Sequence, residues 1–224
     1  MKKIAQWIGL LVLVPAVALM TAWGTLAIYW SAPSPGMLRT VAAAAFGLAT
    51  VLAFLCLPDR RRTLIGFLLV FAAVAGWWMT IPASNDRPWQ RDVAVLPSAD
   101  VQGDLVTLRN IRNLAYRTET DFDARYYDKT FDLNQLDSVD LIAVYWMGDA
   151  IAHIMVSFGF QERDFVAFSI ETRKEIGEGY STVKGFFKQY EQTYIAGDER
   201  DLIRVRTDFR KPPEDVYIYR TRMP

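Results

Sequence analysis

Cysteine and histidine occur once each, as Cys56 and His153. One thiol cannot close an internal disulfide. A metal centre built from His and Cys is excluded, and the acidic residues have no spacing that supports an all-carboxylate site, so no metal or other cofactor is expected. Cys56 sits in the apolar run VLAFLCLP, where burial in hydrocarbon would raise a thiol pKa, and the rest of the chain has no cysteine nucleophile. Acidic residues are nearly missing from the first 84 positions, where Asp59 stands alone against Lys2, Lys3, Arg39, Arg60, Arg61 and Arg62. Residues 85–224 hold the other 19 basic and 24 acidic residues, a net charge of about −5. No basic stripe is present, which argues against a nucleic-acid partner. Repeats and low-complexity tracts are also missing.

What is present divides the same way. Hydrophobic residues make up 52% of the chain and charged ones 22%, a mixture that suits neither a soluble domain nor a pure membrane bundle. Ile4 to Trp30 is 27 residues without a formal charge, enough to span ~30 Å of hydrocarbon with some tilt. MKK in front is like a signal-peptide n-region, but the run is too long for an h-region, so an uncleaved helix is expected. Two further spans are expected at about 41–58 and 64–81, and Pro15 is expected to kink the first. Trp23, Tyr29, Trp30, Trp77 and Trp78 mark interfaces. Lys2 and Lys3 fall on one side with Arg60, Arg61 and Arg62, and only Arg39 falls on the other. The positive-inside rule then puts the N-terminus in the cytoplasm and the domain after the third span outside the inner membrane. Uncharged runs this long are rare in soluble cores. The expected organisation is a multi-pass anchor over 1–84, with the lipid bilayer as partner, and a periplasmic α+β domain over 85–224. PASNDRPWQRD is the boundary, with Arg87, Trp89 and Arg91 near the headgroups or in a plain spacer.

In the polar part, Asp104 to Arg117 reads as one or two strands with a bend at Asn110 or Asn113. TETDFDARYYDKTFDLNQLDSVD reads as loop; its aspartates lack the bend glycine and terminal glutamate of a calcium loop. Strands are expected at Val139 to Met147, Ala152 to Phe160 and Phe165 to Glu171, the last two joined by a four-residue turn. That turn sets Phe160 against Phe165 and His153 against Thr172, whereas a shift of one residue would bring Glu171 or Arg173 opposite His153. TVKGFFKQYEQTYI, behind a Ser181 N-cap, has aromatics at helical spacing and is expected to pack on the sheet. DLIRVRT and Val216 to Arg220 read as strands.

His153 is a candidate general base or acid, since an imidazole with a pKa of ~6.5 exchanges protons near neutrality. Its bland reading is a buried side chain bonded to backbone. Glu171 could orient that imidazole, or form a surface bridge with Arg173 or Lys174. Ser157 and Ser169 are the nearest hydroxyls, but neither lies in a GxSxG elbow, and Ser157 is roughly 13 Å along the strand from His153 at ~3.3 Å per residue. Arg112 and Arg173 could bind a phosphate or carboxylate of a substrate, or be structural ion pairs.

DRPWQRDV, NIRNLAYRTETDF, AHIMVSFGF and FSIETRKEIGEGYS together resemble the Lnb-type N-terminal periplasmic domain family, over about residues 75–224. Members of that family include lipoprotein intramolecular transacylases. The resemblance implies a circularly permuted papain-like, antiparallel-sheet fold in which His153 matches the family histidine. It also implies an Asn-Cys-Thr-Thr nucleophile segment beyond a strand like YIYR, which these 224 residues do not contain; a truncated or inactive member is therefore expected. The implied reaction is acyl transfer from a lipid ester of a lipoprotein through a His-activated thiolate. A noncatalytic envelope-binding module and a peptidoglycan amidase-like hydrolase are the alternatives.

Overall fold

The computed structural model describes residues 2–31, 36–146, 148–210, 212 and 214–222, with side chains described from Leu11 onward and not at Arg222. The chain forms two compact units. Met1–Asn85 with Tyr180–Tyr190 make the first, and Asp86–Gly179 with Glu191–Pro224 make the second.

The first unit contains α1 (Lys2–Ser31), α2 (Gly36–Cys56) and α3 (Arg60–Met79). Each is long and apolar enough to cross a membrane, over Leu11–Ser31, Gly36–Cys56 and Arg60–Met79. Their leucines and valines face outward, as at Leu19, Leu55 and Leu69, which suits hydrocarbon and not water. Small residues let α1 and α2 approach: a Cβ on Gly24 would lie 2.7 Å from the Phe46 ring, and one on Gly47 would lie 3.2 Å from Thr25 Oγ1. Pro58 ends the preceding apolar run, and the Asp59 carboxylate caps α3 by accepting from the Arg62 amide at 3.1 Å.

Tyr180–Tyr190 departs from the sequence expectation. A helix forms only over α4 (Thr182–Phe186), capped by Ser181, and it does not continue. Lys188 takes a left-handed φ of 57°, which stops the helical path. The next residues, Glu191–Gly197, alternate buried Thr193 and Ile195 with exposed Tyr194 and form a strand. The aromatic spacing over 183–194 therefore spans two elements.

The second unit is built on an eight-stranded sheet with the order β1-β2-β9-β8-β7-β6-β10, and β5 pairs with β2 beside this path. The strands are β1 (Ser98–Gln102), β2 (Leu105–Arg112), β5 (Tyr126–Asp132), β6 (Leu136–Tyr145), β7 (Ala152–Phe160), β8 (Asp164–Arg173), β9 (Glu191–Gly197) and β10 (Asp215–Arg222). Short β3 (Ala115–Tyr116) and β4 (Phe122–Asp123) pair separately. All neighbours run antiparallel except β2 and β9, which meet in parallel at Arg112 and Gly197. The segment expected as loop thus contributes β5 and the start of β6. Its alternating Tyr127, Lys129 and Phe131 pack on β2, with a bulge at Asn110, whose φ is 58°. Of the expected 139–147 strand, Met147 lies outside the described residues.

Each face of the sheet has its own core. Leu108, Ile111, Phe131, Phe160, Val166 and Ala196 form one. Ile142, Val144, Met155, Ala167, Ile195 and Leu202 form the other, at about 1.5–3 kcal/mol for each large side chain buried. The second core is covered by residues expected as a strand, 201–207. These instead form α5 (Glu199–Leu202), capped by Asp198, and a π-helical turn, Val205–Phe209. Leu202, Val205 and Arg206 are buried at helical spacing, and Arg204 and Thr207 are left toward solvent. The apparent two-residue alternation of LIRVRT is incidental to that packing.

A buried ion pair joins this cover to the sheet. Arg112 Nε and Nη2 donate to Asp201 at 3.0 and 2.9 Å, and the Leu114 amide adds a third bond to the same carboxylate at 2.8 Å. Removing one charge of such a pair strands the other. Asp201→Asn is expected to destabilise the domain by about 3–5 kcal/mol, read as a lower urea midpoint at unchanged slope. Arg117→Ala, which removes an exposed partner of Asp121, should leave the midpoint where it was.

Candidate functional site

The register of β7 and β8 decides what His153 meets. Met155 pairs with Ser169, Ser157 with Ala167 and Gly159 with Phe165, so only Gln161, Glu162 and Arg163 remain in the turn after Phe160↔Asp164. Gln161 and Glu162 both adopt positive φ, 52° and 55°, which closes the hairpin one residue sooner than a four-residue loop. Phe165 therefore faces Gly159 and not Phe160, and the expected pairing of His153 with Thr172 is corrected to the adjacent register. Continued from Met155↔Ser169, that register carries His153 to Glu171. Gly159 is required here, since a Cβ would lie 2.2 Å from Ser138 Oγ and 2.7 Å from the Phe165 ring.

One row across the sheet holds Ile142, Met155, Ser169 and Ile195, and the row beside it holds Val144 and His153. On that face Ser169 Oγ lies 2.7 Å from His153 Nε2 and donates to Glu171 Oε1, also at 2.7 Å. Glu171 Oε1 is 3.4 Å from His153 Nε2, so the hydroxyl mediates most of the contact. Arg206, from the π-helical turn, donates Nη2 to the same oxygen at 2.8 Å and Nη1 to Glu214 Oε2 at 3.2 Å. The result is a chain of groups running Glu214, Arg206, Glu171, Ser169 and His153.

The proton directions along this chain follow from valence. Ser169 has one hydroxyl proton, and it goes to the carboxylate. The Ser169 oxygen must then accept from His153, so Nε2 carries a hydrogen. In the neutral ring Nδ1 holds the lone pair, and no described residue hydrogen-bonds it. Burial alone would push the Glu171 carboxyl up. The adjacent His153 ring nitrogen and the charge of Arg206 outweigh it and hold the group far below the usual carboxylate range. The arrangement is a base at Nδ1, with a fixed ring and a permanent anion placed to stabilise the imidazolium.

Ser169 is 1% exposed and gives its proton to Glu171, which suits a bridge and not a nucleophile. Ser157 is buried and donates to Glu199 at 2.6 Å, away from this chain. The two arginines expected to bind substrate both have protein partners. Arg112 is occupied by Asp201, and its Nη1 donates to the Asp92 carbonyl at 2.8 Å. Arg173 donates to the carbonyls of Val93 and Ala94 at 3.0 and 2.9 Å and lies 4.3 Å over the Trp89 ring. Both are buried and brace the 89–94 segment, Arg112 through an ion pair with Asp201 and Arg173 through backbone carbonyls. Arg206 was not singled out in the sequence. The Asp198 cap followed by Leu202, Val205 and Arg206 at helical spacing was the signal that would have found it.

A cavity of about 350 Å³ opens next to this chain, with Tyr145, Trp146, Arg210 and Glu214 in its wall. Glu214 ties it to Arg206, and Tyr145 pairs with Ala152, the residue before His153.

The Glu171 carboxyl, ordinarily at 4.5, is depressed by folding, so it stabilises the folded state above about pH 4.5, and that gain is lost as pH falls below it. Glu171→Gln is expected to cost about 1.5–3 kcal/mol near neutral pH, and the gap from wild type should narrow through the acid range. Urea midpoints of both proteins across pH test this; a gap independent of pH would rule it out.

Residues 122–224 match the family model of the Lnb N-terminal periplasmic domain. The match contains β4 through β10 and every member of the His153 chain. It starts at Phe122, so it is narrower than the resemblance seen from about residue 75. Neither the curated proteins nor the solved structures contain a match to the chain.

Proposed function

From a chain whose residues 122–224 match the family model of the Lnb N-terminal periplasmic domain, and which begins with three helices able to cross a membrane, we propose an acyl-transfer or thiol-hydrolase role at the membrane surface. The protein is a membrane-anchored periplasmic protein; its substrate class and chemistry are the proposal. The observation that carries it is the tethering of His153 Nε2 by Ser169 and Glu171, which leaves Nδ1 as the reactive nitrogen. The sole cysteine of residues 1–224 is in α2, so the proposed mechanism requires a thiol that is not among them.

His153 Nδ1 takes the thiol proton. The thiolate adds to the carbonyl carbon of a lipid ester, and the tetrahedral intermediate collapses as the imidazolium returns the proton to the departing alkoxide. The acyl group is then a thioester. An amine, or water in the hydrolytic version, displaces the thiolate and yields amide or acid. Glu171 lowers the cost of the imidazolium in both halves, because it is already an anion and needs no reorganisation. A lipoprotein ester is the favoured substrate, since it is confined to the membrane that holds the domain. The basic residues Lys2, Lys3 and Arg60 to Arg62 support a cytoplasmic N-terminus in the inner membrane.

In membranes containing the full-length protein and an alkyne-tagged acyl lipid, a hydroxylamine-sensitive acyl label on the protein is expected. His153→Ala should reduce it by roughly 10²-fold or more, and Glu171→Gln by less, with a shifted pH profile. A folded wild-type protein that never forms the thioester would overturn the mechanism and leave a noncatalytic envelope-binding module as the better reading. For orientation, proteins with Cys56 and any cysteine outside residues 1–224 replaced by Ala, and carrying Glu162→Cys or Arg61→Cys, should differ in intact cells. An impermeant maleimide is expected to label position 162 after outer-membrane permeabilisation and to spare position 61; labelling of 61 alone would reverse the topology.

A further inference from the structure

Tyr180–Tyr190 sits in sequence between β8 and β9 but groups with the membrane-capable helices. Its anchor points all lie at one end of that bundle, where α1 ends at Ser31 and α3 at Met79. Ser31 donates its hydroxyl to the Phe187 carbonyl. The Phe187 ring is 6.2 Å from Trp23, two turns inside α1, and Phe187 is 4% exposed. Lys188 Nζ donates to the Trp78 carbonyl at 2.9 Å and lies 4.3 Å over the Trp78 ring. Lys184 Nζ lies 5.3 Å over the ring of Trp30.

The other side of the segment is apolar and uncovered. Phe186 is 61% exposed and Val183 is 51% exposed. Such side chains facing water would cost free energy without return. Their surroundings are not simply water, however. The segment is seated on the tryptophan-bearing ends of helices whose flanks face lipid, so the medium beside it is the headgroup and upper acyl region. Lysines over tryptophans, with aliphatic and aromatic residues turned outward, are the composition that this layer accommodates.

We propose that Tyr180–Tyr190 is an interfacial membrane anchor. Val183 and Phe186 insert into the leaflet at the α1 and α3 ends, with Lys184 and Lys188 at phosphate level. The bilayer is thus contacted by a segment of the chain far from the spans in sequence. This inference rests on the helices spanning a membrane and is independent of the acyl-transfer chemistry.

The test is spin-label depth measurement on the full-length protein in phosphatidylcholine–phosphatidylglycerol nanodiscs, with Cys56 and any cysteine outside residues 1–224 replaced by Ala. Labels go on Phe186→Cys and Val183→Cys, with Leu19→Cys as the span reference and Glu162→Cys as the water reference. Power saturation with oxygen and a nickel chelate is expected to put 183 and 186 within ~5–10 Å of the headgroup boundary, between the two references. Nickel accessibility equal to that of position 162 would overturn the proposal. So would shielding from both reagents, which would mean a protein cover. Water accessibility at position 19 would instead refute the spanning reading itself.

Discussion

A single carboxylate oxygen, Glu171 Oε1, holds the candidate site together. It receives Arg206 from the turn after α5, Ser169 from its own strand, and through Ser169 the imidazole of β7. A half-buried anion cannot persist without such donors. Arg206 in turn is 5% exposed along its side chain and needs two carboxylates, Glu171 and Glu214, to be tolerated inside. The π-helical turn, the β7–β8 register and the loop before β10 are therefore coupled. Displacing any one of them leaves a buried charge unmatched.

Much of this was legible in the sequence, and the failures have local causes. The three long apolar helices follow from uncharged runs, and the bounds of β7, Ala152–Phe160, are those expected. The pairing of His153 was ambiguous between two registers because the turn length could not be fixed. Gln161 and Glu162 are not residues that advertise positive φ, so a tight three-residue turn carried no glycine or asparagine signal. Arg206 was hidden because LIRVRT alternates like a strand while its buried side chains follow helical spacing. Arg112 and Arg173 looked available because their partners, Asp201 and the 93–94 carbonyls, are remote in sequence. The helix expected over 182–195 fails before Lys188, where tertiary contacts with Trp78 outweigh helical propensity.

Ser169 illustrates why residue lists alone mislead. A serine within hydrogen-bonding distance of a histidine that also neighbours a glutamate satisfies the inventory of a hydrolytic triad. The proton order runs the other way: the hydroxyl serves the carboxylate, and the imidazole serves the hydroxyl. Nε2 is thereby spent on orientation. Any electrophile or thiol acted on by this ring has to approach from the Nδ1 side.

The place of Tyr180–Tyr190 also bears on how the periplasmic part can be handled as a separate piece. A fragment begun after Asn85 would still carry this segment, but without Trp23, Trp30, Trp78 or the Ser31 hydroxyl that receive it. Phe187 and Tyr190, buried in the intact chain, would join Phe186 and Val183 as one adhesive loop. Excision at the obvious boundary therefore yields a protein prone to self-association, whatever the soundness of its sheet. Because β8 and β9 remain paired as far as Arg173 and Glu191, the hairpin itself does not need the long detour. A short polar turn in its place is the more rational route to a soluble domain.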